Sequence, residues 1–278
     1  MTEAHPGDDQ RGNRGRDTGA WRVAISLFTT IPAGVNGALD DETAARSILW
    51  LPGVGLLVGG AGGCVVLAAG WLNATGPGRL LGAALAVAVI AVLTGGLHLD
   101  GLADTADGLG SRRPAQVALD IMRRSDVGPM GVSALVLVLL VQVAAVAAVP
   151  RPALAAAALV LAEVTGRVAV VVATSSPAAR PGGFGALVAG RTTATERALT
   201  VGALACAVAA VSFTTGGLTA GGPGLALGGL AAMFAGLLAG VLVQRTARRR
   251  LGGMTGDVFG AILQIAATAT LVVAALAG

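Results

Sequence analysis

Residues 79–110 read RLLGAALAVAVIAVLTGGLHLDGLADTADGLG. The first part, 79–98, is an apolar run of the length that crosses a bilayer, about 20 residues. Three aspartates, Asp100, Asp104 and Asp107, follow it directly. On a helix they stand at i, i+4 and i+7. The second falls about 40° from the first and the third about 20° the other way, so the three share one face. Two carboxylates ~6 Å apart repel by roughly 3 kcal/mol at an effective dielectric of about 20. Clustered acids at a membrane edge therefore point to a held cation.

The whole chain agrees with the apolar run. Of 278 residues 54% are hydrophobic and only 12% are charged, about half the charged fraction of a soluble domain. The fold class expected is an all-α polytopic membrane protein. Spans are read at 47–71, 79–98, 131–149, 153–174, 198–215, 221–244 and 257–277. The segment 21–31 is too short to cross and either re-enters or lies in the interface. Residues 111–124 read as an amphipathic surface helix, with Val117, Ala118, Ile121 and Met122 opposite Arg112, Arg113, Arg123 and Arg124. Residues 1–20 lack the apolar core of a signal peptide and read as a disordered cytoplasmic tail. Residues 21–278 read as a single membrane-embedded domain. The abundance of Ala and Gly suits close helix packing in lipid and equally suits a GC-rich genome. Cys64 and Cys206 lie in apolar runs and read as buried, inert thiols.

All 19 basic residues are arginine. With the N-terminus cytoplasmic, Arg11, Arg14, Arg16, Arg22 and Arg46 share a side with the 112/113 and 123/124 pairs, Arg180, Arg191, Arg197 and the 245–250 cluster. Only Arg79 and Arg151 lie opposite, and Arg167 is inside a span. This asymmetry orients seven crossings by the positive-inside rule. It also turns the net charge of +4 from a nucleic-acid signal into a topology signal. The acidic string, the Gly-rich SDVGPMG at 125–131, PGGFG at 181–185 and LGGMTGD at 251–257 then fall on one side, the cytoplasmic one.

Asp100, Asp104 and Asp107 read as ligands for Mg²⁺, a hard cation that keeps waters and bridges to phosphate, or as a solvated acidic turn. Asp257, after Gly252, Gly253 and Thr255, is either a second arm of that metal site or the cap of the last span. His98 lies about 160° from Asp100 on the helix and either bonds a neighbouring helix or moves a proton. Glu163 and Arg167, at i and i+4 inside a span, either neutralise each other or offer Arg167 to a phosphate. The glycines around Ser125 and Gly128 either admit a ligand close to backbone or form a plain loop-to-helix junction. Arg123, Arg124 and Arg191 are further candidates for phosphate contact.

GGLHLDGLADTADG (95–108) resembles the first signature of the cobalamin synthase family, the adenosylcobinamide-GDP ribazoletransferases. Residues 122–131 and LGGMTGDVFGA (251–261) resemble its second and third signatures in order, and Pro52 to Leu57 resembles an early segment. The likeness spans roughly residues 21–277. It implies transfer of the adenosylcobinamide phosphate from adenosylcobinamide-GDP to α-ribazole or its 5′-phosphate, with release of GMP. It also implies Mg²⁺ as cofactor, the cytoplasmic (inner) membrane as location, and Asp100, Asp104, Asp107 and Asp257 as functional positions. Three positions depart from the family pattern. Asp126 stands where arginine is common, Gln264 where glutamate is common, and the stretch before Pro32 lacks a basic residue. The lipid bilayer is an expected partner and nucleic acid is not; a homo-oligomer is left open. Two other readings remain at this point. One is a CDP-alcohol-type phosphotransferase, whose motif needs an arginine that Asp104 replaces. The other is a transporter with a carboxylate coupling site.

Overall fold

The computed structural model describes residues 19–34, 41–73, 75–216 and 222–277. The cytoplasmic tail expected over 1–20 therefore lies outside the described residues as far as residue 18. Helix α1 (Gly19–Phe28) begins at Gly19 and is short, in keeping with a segment that does not cross. Helix α2 (Asp41–Arg46), a 3-10 turn (Ser47–Trp50) and α3 (Leu51–Leu72) run on as one rod of 32 residues. Then follow α4 (Gly76–Leu93), α5 (Leu97–Gly110), α6 (Ala115–Ile121), α7 (Pro129–Ala148) and α8 (Pro152–Ala173). The chain finishes with α9 (Gly183–Val188), α10 (Ala194–Gly216), α11 (Gly222–Leu251) and α12 (Gly256–Ala277). Among the described residues, seven helices are long and apolar enough to cross a membrane.

Helices α8 and α12 form the centre, with α3, α5, α7 and α11 around them. Small residues permit the close approach. A Cβ at Gly55 would lie 2.9 Å from the Glu163 carbonyl oxygen of α8, and one at Gly166 would lie 2.8 Å from that of Leu263 in α12. Some of the glycine excess is thus structural, since backbones that touch leave no room for a side chain.

Four sequence expectations need correction. The second span stops at Leu93. Gly95 and Gly96 take positive φ, 59° and 71°, and the chain restarts as α5. Left-handed backbone is cheap only for glycine, so the pair ends one helix and re-aims the next. The aspartates therefore sit on a separate helix packed along α12, not on the end of the span. Secondly, the surface helix covers only Ala115–Ile121. Arg112 has φ 54° and breaks it on one side. Its buried residues are Ala118 and Leu119, with Met122 just beyond, while Val117 is exposed; it packs on α5 and α11. Thirdly, α11 continues through Arg245–Arg250 to Leu251, so these arginines ride on a helix rather than in a loop. Finally, Cys64 and Cys206 are free and exposed, on outward faces of α3 and α10. An apolar residue in a membrane helix can face lipid as readily as core, which the run of sequence does not distinguish.

Candidate active site

Helices α5 and α12 cross with almost no gap. A Cβ at Gly101 would meet the Asp257 backbone oxygen at 2.7 Å, and Gly260 sits beside the His98 backbone. The two helices run antiparallel, and the contact brings Asp100 and Asp104 to the N-terminal end of α12, where Asp257 stands. Asp104 feels the result. Burial first, then Asp100, Asp257 and Asp107, push its carboxyl up to about 6, because each added negative charge disfavours ionisation.

The four acids have different surroundings. Asp107 is committed. Its carboxylate accepts from the Gly128 amide at 2.7 Å and the Gly131 amide at 2.9 Å, closing the N-terminus of α7, where a negative charge is favoured. A Cβ at either glycine would strike that carboxylate, at 2.5 Å and 2.4 Å respectively. The ligand that these glycines admit is thus Asp107 itself. Asp257 does not cap α12. Thr255 does so, its hydroxyl accepting from the Val258 amide at 3.2 Å and donating to Asp257 at 3.2 Å. Asp257 is left to face Arg180, whose guanidinium stands 3.8 Å away. Asp100 is exposed and Asp104 half-buried.

Among the described residues, no three His, Cys, Asp or Glu side chains converge closely enough to enclose a metal ion. The donor chemistry still suits Mg²⁺. Three acids, Asp100, Asp104 and Asp257, repel one another with one guanidinium nearby, and Mg²⁺ ordinarily takes one or two carboxylates and fills its remaining positions with water and phosphate oxygens.

Beside the acids opens a cavity of about 380 Å³, within the range that holds small ligands. Asp100, Asp257, Arg180 and the Gly182–Gly183 turn line its mouth. His98 lines it too, although a helical wheel separates His98 from the aspartate face. The imidazole is buried at 5% exposure, and its Nδ1 has no hydrogen-bond partner. Burial, with the Arg167 cation adding to it, pushes this histidine down to about 3, so the ring is neutral.

The loop that carries Arg180 is held by backbone. The Met254 amide donates to the Pro177 carbonyl at 2.8 Å, and the Ala179 amide to the Met254 carbonyl at 2.9 Å. Gly253 lies so close to Pro177 and Ala178 that a Cβ would clash with backbone at 2.4 Å, while Gly252 supplies the φ of 85° that turns the chain. These two glycines therefore shape the turn; Thr255 and Gly256 are the ones that reach the cavity wall.

Other candidates from the sequence stand apart. Arg123, Arg124, Ser125, Asp126 and Arg191 are exposed, and none lines the cavity. Arg167 is fully buried and ion-paired to Glu163, so mutual neutralisation describes that pair better than a reach to phosphate. Gln264 accepts from Gln142 at 2.9 Å between α7 and α12, away from the acids. Conversely, the sequence reading passed over Arg180 and Phe184 as site residues. The signal was present, an arginine directly before the Gly-rich PGGFG, but Arg180 was counted only for topology.

Comparison with known proteins gives the family. The family model described as cobalamin-5-phosphate synthase matches residues 20–275. A protein of Frankia casuarinae named adenosylcobinamide-GDP ribazoletransferase is 38% identical over 263 residues, covering 92% of this chain and 94% of its own length. Proteins of the same name from Bradyrhizobium diazoefficiens and Citrobacter koseri are 41% and 36% identical. They cover 91% and 84% of this chain and 92% and 90% of their own lengths. No solved structure matches. The resemblance to this family is thereby borne out, and the chain belongs to the cobalamin-5-phosphate synthase family.

Proposed function

We propose that this chain joins adenosylcobinamide-GDP to α-ribazole, or to its 5′-phosphate, and releases GMP. The names of its relatives support this reading. The observation that carries it is the close crossing of α5 and α12, which sets Asp100 and Asp104 toward Asp257, beside Arg180 and a nucleoside-sized cavity. The 5′-hydroxyl oxygen of the acceptor attacks the phosphorus next to cobinamide. The bond from that phosphorus to the bridging oxygen breaks, and GMP departs with the electron pair. The hydroxyl proton passes to a carboxylate at the mouth. Mg²⁺, held by Asp100, Asp104 and Asp257, would supply charge neutralisation for the diphosphate and the leaving GMP.

Arg180 is placed to steady the non-bridging oxygens through paired N–H donors. Asp107 acts at a distance by fixing the start of α7 against α5. His98, neutral and buried, does not compete for the phosphate. Most of the acceleration then comes from holding the reactants in line and from charge complementarity. The location is the cytoplasmic membrane, with the site facing the cytoplasm. Supporting this, arginine-rich elements crowd the end that carries the acids. Asp257 stands in the first turn of α12, at the end of a helix long enough to span, whereas a transporter's coupling site belongs near mid-membrane.

The test is a membrane assay. Full-length protein receives adenosylcobinamide-GDP, α-ribazole and Mg²⁺, and GMP is measured with and without chelator. GMP release that chelator abolishes, and that Asp104→Asn lacks while still inserting in membranes, is the expected result. Absence of GMP under every divalent metal overturns the reading, and full activity of Asp104→Asn overturns the metal assignment.

A further inference from the structure

The cavity has a charged part and an apolar part. Its mouth is charged, with Asp100, Asp257 and Arg180. Leu263, also on its wall, lies six residues further along α12, about 9 Å deeper at 1.5 Å per residue. Leu51, Leu97 and Val170 line the same cavity, together with an aromatic group. The Phe28 and His98 rings are stacked within 11° of parallel at 6.3 Å, and Phe184 meets Phe28 edge-on at 5.4 Å. Flat apolar walls with aromatic edges suit a planar ring system.

Hydrogen-bonding capacity at this end is small, and it decides between the two bases of the reaction. His98 lines the cavity, and its imidazole makes no hydrogen bond at Nδ1, an atom itself buried away from the open space. Guanine carries three acceptors and two donor groups on its edges, and each group buried without a partner costs about 1–3 kcal/mol. A dimethylbenzimidazole-type base, joined to ribose through one ring nitrogen, has a single free acceptor nitrogen and is otherwise apolar. One imidazole N–H satisfies it.

Resting on the function proposed above, we infer that the apolar, aromatic part of this cavity is the acceptor subsite. It takes the base of α-ribazole against Phe28, Phe184 and Leu263, with His98 bonding the free ring nitrogen. The ribose then points outward, and its 5′-hydroxyl reaches the charged mouth between Asp100, Asp257 and Arg180. The volume agrees, since about 380 Å³ holds a nucleoside and not a corrinoid. The corrinoid and the guanosine of the donor thus bind outside this chamber, and selection of an apolar fused-ring base over a purine is a property of its inner wall.

The experiment uses full-length protein in detergent or proteoliposomes, with steady-state GMP release and equilibrium dialysis of α-ribazole alone. Phe184→Ala should raise KM for α-ribazole at least tenfold and weaken its dialysis Kd by a similar factor, leaving KM for adenosylcobinamide-GDP within twofold. Phe184→Leu keeps apolar bulk and decides the matter if the alanine variant fails to fold; a three- to tenfold rise for the acceptor alone is expected. A rise in KM for adenosylcobinamide-GDP with the acceptor unaffected overturns the inference and assigns the chamber to guanine. Unchanged kinetics for both substrates in Phe184→Leu overturn it as well. Lack of GMP release by the wild type strikes instead at the proposed function, so the two failures are told apart.

Discussion

Replacing Gly101 by alanine tests whether the contact between α5 and α12 sets the active geometry. The new Cβ would lie 2.7 Å from the Asp257 backbone oxygen and 3.0 Å from its Cα. Ordinary contact begins at 3.4 Å, so the helices must part by about 0.7 Å at the point where Asp100, Asp104 and Asp257 meet. Backbone atoms cannot rotate out of the way. Overpacking of this kind costs about 1–3 kcal/mol, and the helical preference of alanine over glycine returns about 1 kcal/mol. Melting in detergent should therefore shift by only a few degrees. Activity is the sharper readout, because an error approaching 1 Å in reacting groups costs up to about 100-fold. The expected result is a 10- to 100-fold fall in GMP release with near-native melting. Gly53→Ala is the control, since its Cβ would meet nothing within 4 Å. A Gly101→Ala protein with wild-type turnover would refute the argument that this contact aligns the acids.

Other outcomes follow from the same geometry. The carboxyl of Asp104, raised from 3.8 to about 6, weakens the fold in its ionised form. In chelator the wild type should lose stability as pH rises from about 4 to about 6. Asp104→Asn should lack that loss and gain about 1 kcal/mol at pH 7, once the shift is discounted for solvent screening. Melting curves with added Mg²⁺ should then show stabilisation of the wild type and little of the variant. Thr255→Ala removes the cap of α12 and should cost about 1 kcal/mol; a larger loss of turnover than of stability would show that Thr255 also aligns Asp257. Glu163→Gln leaves the Arg167 charge buried and unpaired and should destabilise by about 3–5 kcal/mol, whereas the double change Glu163→Gln with Arg167→Met should recover most of it. Chemical denaturation of the purified variants measures both.

The seven crossings, the acidic string and the family were all legible along the chain, because each depends on local properties. Apolar length decides whether a helix can span, and the spacing of Asp100, Asp104 and Asp107 is fixed once they are helical. What local spacing could not show was where α4 ends. Residues 93–97, LTGGL, hold a Gly-Gly pair that the sequence reading ran through as part of one span, yet Gly95 and Gly96 take positive φ and turn the chain. Nor could it divide the acids by role. Asp107 is spent on α7 through the Gly128 and Gly131 amides, and Thr255 releases Asp257 from capping. Both outcomes depend on partners distant in sequence. Exposure of Cys64 and Cys206, burial of Arg167 and the place of Arg180 beside Asp257 likewise follow from which face of each helix meets a neighbour. Composition determined that the chain lives in a membrane and carries clustered acid on it. Only the packing of α5 against α12, through Gly101, decided which acids come near one another, and only the tertiary fold set Phe28 and Phe184 on the wall of the same cavity as Asp100 and Asp257.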